Sequence, residues 1–201
     1  MRCHTPFVTM LFTCASGALA ASPPTSAPPA EVPGAGTEAP FAKTLELHGI
    51  RFAISADNQF PTATVTITPS GLEVDNSPVT RPIDGRVKDA EVADLDVDQS
   101  PEIYVYPTSD RGDSLVALSA NKRKSLSDID LPSLDETPAA TVGYRGRDAF
   151  AVGEGRLLRR FPVYRDGDSD TEPTGGMRQL QYRLEPGEAG WRLVVDEVLA
   201  Y

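Results

Sequence analysis

Cysteine is nearly absent from this 201-residue chain, and its two examples, Cys3 and Cys14, both lie close to the start. The body of the protein therefore has no thiol, which excludes disulfides, thiolate metal sites and a cysteine nucleophile. Histidine is as scarce. His48 is the only one beyond His4, so neither a His-Cys metal site nor a Cys-His dyad can be assembled. A Ser-His-Asp arrangement around His48 stays formally open, but His48-Gly49 sits between apolar pairs as a polar turn would. No apolar run approaches the roughly 20 residues that span a bilayer, so membrane insertion is not expected. Basic residues are outnumbered, 19 against 29 acidic, for a net charge of −10. Nucleic acid and anionic membranes are poor partners for such a chain, whereas a basic protein or cationic ligand would be attracted.

The N-terminus has the pattern of an address. Arg2 and His4 precede the apolar run Phe7 to Phe12, and Ala18-Leu19-Ala20 matches an A-x-A cleavage site. Residues 1–20 are expected to be a cleaved secretory signal. A lipoprotein reading through Leu11 to Cys14 is disfavoured by the bulk of Phe12 and Thr13. Cleavage would remove both cysteines and Arg2, leaving a net charge of −11. Residues 21–40, ASPPTSAPPAEVPGAGTEAP, are rich in Pro, Ala, Ser and Thr and offer no aromatic to bury, the composition of an extended linker. Residues 41–201 make one domain.

That domain reads as strands and turns. Leu45 and Leu47, then Ile50, Phe52 and Ile54, alternate around His48-Gly49, and Val65 and Ile67 alternate before Pro69-Ser70-Gly71, with Leu72 and Val74 resuming as in a hairpin. Further strands are expected at Arg86–Leu95, Glu102–Tyr106, Leu115–Ala120, Asp148–Val152, Leu157–Val163, Met177–Leu184 and Trp191–Leu199. Only Lys122–Leu131 offers a short helix. The expected class is all-β, an antiparallel β-sandwich or a barrel-like pair of sheets with little helix. Arg156, Arg159, Arg160 and Arg165 read as stems covering apolar sheet surface.

Three polar stretches could carry function. Asp94, Asp96, Asp98 and Glu102, at positions one, three, five and nine of ADLDVDQSPEIYV, resemble a calcium loop of hard oxygen ligands. The glycine of such loops is missing, with Val97 and Gln99 in the likely places, so a solvated turn competes with a calcium site. The second stretch is Pro107 to Ser114, a polar tip between two strands containing an Arg-Gly-Asp triplet. The third is Asp166 to Gly176, a Gly-, Asp- and Thr-rich loop between two more. No compact nucleophile set stands out, and with 29 acids no carboxylate pair can be nominated for glycoside hydrolysis. Binding is expected rather than catalysis, with no cofactor unless calcium occupies the aspartate cluster.

The order ADLDVDQSPEIYVYPTSDRGDSLVALSAN, followed by GRDAFAVGEGRLLRRFPVYRDGDSDTEPTGGMRQLQYRLEPGEAGW, resembles the periplasmic inhibitors of I-type (invertebrate-type) lysozyme over most of residues 41–201. The resemblance implies a periplasmic β-rich domain that occludes a lysozyme cleft and so protects peptidoglycan, with self-association into a homodimer. It also implies an inhibitory loop at Ser109, Asp110, Arg111, Gly112 and Asp113. Ser109 falls at the family's serine, but Gly112 stands where the family has a tyrosine; Arg111 could supply a charge-assisted bond in its place. Asp166, Asp168, Thr174 and Gly175 then become a candidate flanking contact, against the alternative of a purely structural loop. A calcium-dependent binding module built on the aspartate cluster is the competing reading.

Overall fold

A computed structural model describes residues 39–59, 62–188 and 190–201. The expected signal and the linker up to residue 38 lie outside them. The fold is almost all β. Strands β1 (Phe41–Leu47), β2 (Ile50–Ala56), β3 (Thr62–Ser70) and β4 (Val79–Asp84) form a four-stranded antiparallel meander. Strands β5 (Arg86–Ala93), β6 (Glu102–Ser109), β7 (Gly112–Asp113), β8 (Val116–Asn121), β9 (Ser125–Asp130), β10 (Ala149–Gly153), β11 (Arg156–Pro162), β12 (Met177–Gly187) and β13 (Gly190–Ala200) form a second sheet. Its order is β10-β11-β12-β13-β9-β8-β6-β5, with β7 paired to β6 alone. All its ladders are antiparallel except the short β9–β13 contact, where Trp191 lies opposite Ile129.

This larger sheet curls until its ends nearly meet. No ladder joins β10 to β5; instead Glu91 on β5 accepts the Val152 N–H of β10 at 2.8 Å and the Tyr106 hydroxyl at 2.6 Å. A single bridge between Gly112 and Asp148 reinforces the seam. The result is a near-closed eight-stranded barrel with the small sheet laid on part of its outside.

Period-two alternation explains the packing. β2 buries Ile50, Phe52, Ile54 and Ala56 and exposes the residues between them. That face meets Val87, Ala90, Ile103, Val105 and Leu118 from the outside of the barrel to make one core. The barrel interior is the other, with Tyr104, Tyr106, Phe150, Leu157, Phe161 and Leu193 among its members. β6 belongs to both: Glu102 to Tyr106 are all buried, with odd positions facing the first core and even positions the barrel.

Turn chemistry agrees with the strand boundaries. His48 (φ 51°) and Gly49 (φ 77°) take the left-handed conformations of a tight hairpin turn. Lys122 and Arg123 (φ 49° and 57°) do the same between β8 and β9.

Three expectations need correction. Lys122–Leu131 is not helical, because Ser125–Asp130 is a strand paired with β8 that sends Leu126 to the first core and Ile129 to the barrel. The helical turns that do form, Leu134–Glu136 and Pro138–Thr141, come later and are capped at Ser133 and started by Pro138. Leu72–Val74 does not resume a hairpin strand. Asn76 binds both the N–H and the C=O of Leu72, and the Glu73 and Val74 N–H groups go to carbonyls of the β8–β9 turn. Nor does Arg159 cover the outside of the sheet. It shares the inward face of β11 with Leu157 and Phe161 and is paired with Asp148 at 2.7 Å.

Candidate metal centre

The β5–β6 connection, residues 94–101, crosses one end of the barrel and folds back through its own carboxylates. Asp94 accepts the Asp98 N–H at 3.1 Å and the Gln99 N–H at 3.0 Å, while Asp98 accepts the Ser100 N–H at 2.6 Å. Val97 (φ 59°) and Gln99 (φ 67°), the positions that lack the expected glycine, nevertheless adopt glycine's left-handed conformation. For branched Val97, whose side chain is 80 % exposed, this costs on the order of 1–3 kcal/mol.

The folded loop brings ligand oxygens of Asp94, Asp96 and Glu102 within 4.8 Å of one another. Asp98 is not among them. Its carboxylate turns outward to cap Ser100, so the four-member set suggested by spacing becomes a three-member one. Glu102, the first residue of β6, is 0 % exposed. One of its oxygens accepts the Leu95 N–H at 2.9 Å, and the other, Oε1, is buried without a hydrogen-bond partner. Burial pushes the Glu102 carboxyl up to about 8, the Leu95 N–H opposing and the charges of Asp96, Asp94 and Asp98 adding to it. Asp96 is raised to about 6 by burial and by the Asp98 charge.

Further polar groups face the same region from the barrel wall. Ser119 lies directly across from Glu102 on β8, and Ser127 across from Ser119 on β9. Both hydroxyls, and that of Tyr104, are buried without partners among the described residues. A row of unpaired oxygens in a protein interior costs about 1–3 kcal/mol each unless something else satisfies it. The three carboxylates have two ways to relieve their mutual repulsion, by taking up protons or by sharing a cation. No family model matches the chain, and no curated protein or solved structure matches it significantly. The function must be read from the geometry alone.

Two residues at this centre are invisible to local sequence reading. His48 Nε2 sits 3.0 Å from Asp94 Oδ2, reaching in from the β1–β2 turn. Arg123 donates to the His48 carbonyl at 3.0 Å and to the Gln99 carbonyl at 2.9 Å, tying three turns together.

The loop from Ser109 to Asp113 is a short hairpin. Ser109 pairs with Gly112, leaving Asp110 and Arg111 exposed at the tip. The Ser109 hydroxyl oxygen accepts the Arg111 N–H at 3.4 Å. Gly112 (φ 111°) is required: a Cβ there would lie 2.5 Å from the Asp148 nitrogen and 2.6 Å from the Arg147 Cα. A tyrosine cannot occupy this backbone without displacing residues 147–148. Asp113 is turned back, its N–H on the Asp148 carbonyl at 2.7 Å and its carboxylate on Lys88 at 2.9 Å. Lys88 can reach because the β5 register slips between Val87 and Asp89.

In the Asp166–Gly176 loop, Asp168 and Thr174 are spent on each other. Asp168 accepts the Arg165 and Thr174 N–H groups at 2.7 and 2.8 Å and the Thr174 hydroxyl at 2.8 Å, bonds that hold its carboxyl below the usual range. The Gly175 N–H bonds the Val163 carbonyl at 2.8 Å, where a Cβ would come within 2.5 Å of that oxygen. Asp166 remains exposed.

Proposed function

We propose that this chain is an exported β-barrel binding module whose Asp94, Asp96 and Glu102 hold a hard divalent cation, calcium first among them. The observation that carries this reading is the unpartnered, fully buried Oε1 of Glu102 at the centre of the carboxylate cluster. An all-oxygen donor set without thiol suits a hard cation, with water completing its shell. Binding would offset most of the cluster's negative charge and brace a loop already tied to the β1–β2 and β8–β9 turns. Calorimetric titration of the chelator-treated protein is expected to show saturable heat with calcium and a raised melting temperature. Glu102→Gln and Asp96→Asn should each abolish it. Absence of heat with calcium, magnesium and manganese alike would leave the cluster as a protonated structural centre.

A second reading, inhibition of a lysozyme, rests on the tethered hairpin that presents Asp110 and Arg111 to solvent. A rigid tip loses little entropy on entering a cleft. Replacing Ser109 and Arg111 together by Ala should then weaken inhibition of an I-type lysozyme in a cell-wall lysis assay at least tenfold. The wild-type chain leaving lysis untouched would end this reading.

A further inference from the structure

The barrel end remote from Glu102 carries an open cleft of about 860 Å³. Asp113 to Leu115, ahead of β8, and Asp128 to Leu131, at the far end of β9, line it, and none of these residues belongs to the acidic cluster. Phe150 and the Asp148–Arg159 pair form its floor, Ile129 and Leu131 one side, and Trp191 and Arg192 another.

The charges facing the cleft come already paired. Arg159 meets Asp148 at 2.7 Å, Arg192 meets Glu136 at 2.6 Å and Asp130 at 3.2 Å, Lys88 meets Asp113 at 2.9 Å and Arg81 meets Asp128 at 2.7 Å. Only Glu188 at the rim adds a further carboxylate. A simple anion would confront these carboxylates, and a simple cation would have to displace an arginine or lysine from each. A purely apolar ligand would strip water from the exposed Arg192–Asp130 and Arg81–Asp128 pairs without replacing its hydrogen bonds. What the walls offer is a dense mixture of donors and acceptors with little net field. Arg192 Nε is buried with no hydrogen bond beyond its ion pair. Beside it stands Trp191, half-buried and the only tryptophan of the chain. An aromatic face flanked by hydrogen-bonding groups of both kinds matches a ligand whose rings are apolar on their faces and hydroxylated at their edges.

We infer that this cleft binds a neutral glycan, stacked on Trp191 and hydrogen-bonded by the Asp130–Arg192 and Asp148–Arg159 pairs. The site is separate from the cation centre and requires nothing of it.

The lone tryptophan makes the test direct. The full chain is titrated with neutral oligosaccharides, a chito-, a cello- and a malto-series, while Trp191 fluorescence is followed in chelator and again in calcium. A saturable change with at least one series, present in both buffers, is the expected result. Calorimetry should show affinity reduced at least tenfold by Trp191→Ala and by Ser114→Phe, which puts a bulky ring on the cleft wall while leaving Trp191 in place. Ser114 is exposed, so the second variant keeps the test valid if the first fails to fold. Three results would overturn the inference: no saturable change with any neutral series up to millimolar concentration, a response to polycations or polyanions alone, or binding that survives Ser114→Phe.

Discussion

In metal-free buffer the protein loses stability as the pH rises from about 5 to 8, and Glu102→Gln removes most of that loss. The folded chain holds the Glu102 carboxyl at about 8, against an ordinary value of 4.5. Between those limits the unfolded chain has released the proton and the folded chain still retains it. Folding therefore takes up a proton, and stability must fall with increasing pH across this window. Below it both states are protonated and the full stability is present; above it the folded carboxyl ionises and the penalty is complete. The shift corresponds to about 5 kcal/mol at most. Asp96, raised to about 6, adds to the lower part of the same window. Carboxyls held low by hydrogen bonds, such as Asp168 and Asp196, act in the opposite direction at more acid pH. The difference between wild type and Glu102→Gln in urea denaturation, taken from pH 5 to 8.5, isolates the buried group. Coincident curves for the two proteins would show that Glu102 ionises freely in the folded state.

The second large effect concerns the salt bridge inside the barrel. Burial by itself would lower Arg159, but the Asp148 carboxylate, bonded to its Nε at 2.7 Å and to a terminal nitrogen at 3.1 Å, raises it above its ordinary value. The guanidinium carbon lies 5.5, 5.6 and 6.0 Å from the ring centres of Tyr144, Phe150 and Phe161. Tyr144 also donates to Asp148 and accepts from Arg159. Arg159→Met leaves a carboxylate stranded among aromatic rings, and Asp148→Ala strands the guanidinium. Each single change should cost about 3–5 kcal/mol in urea denaturation, with an unchanged denaturant slope. The double replacement Asp148→Leu with Arg159→Met should recover a large part of that cost, since a packed apolar pair carries no desolvation penalty. A single variant within 1 kcal/mol of wild type, roughly the worth of an exposed ion pair, would mean that water reaches the bridge.

The strands were legible because most of them bury one face, and alternation marks that face at short range. His48-Gly49 could be read as a turn for the same local reason. Arg159 could not be read as internal, since an arginine on the inward face is betrayed only by Asp148 and Tyr144, which lie on other elements. Lys122–Leu131 misled because its many charges suit either a helix or an exposed strand, and pairing with β8 decides between them. At the acidic cluster, spacing located the residues but not their environments. Glu102 differs from Asp98 because β6 is covered on both sides, a property of the assembled sheets. His48 is brought to Asp94 across 46 positions of sequence, by packing of one sheet on the other. Gly112 is a similar case. Its sequence neighbours give no sign of the close approach of residues 147–148 that leaves no room there for a side chain.

Strand β6 is the shared wall of both cores, and the two compartments have no independent inventory of parts. An intermediate with the barrel formed and the meander detached would expose Ile103 and Val105 to water, and the reverse would expose Tyr104 and Tyr106. Neither half makes sense as a separable building block. The chain has no natural cut point along this wall, and splitting or permuting it there would remove the hydrophobic lining from two rooms at once.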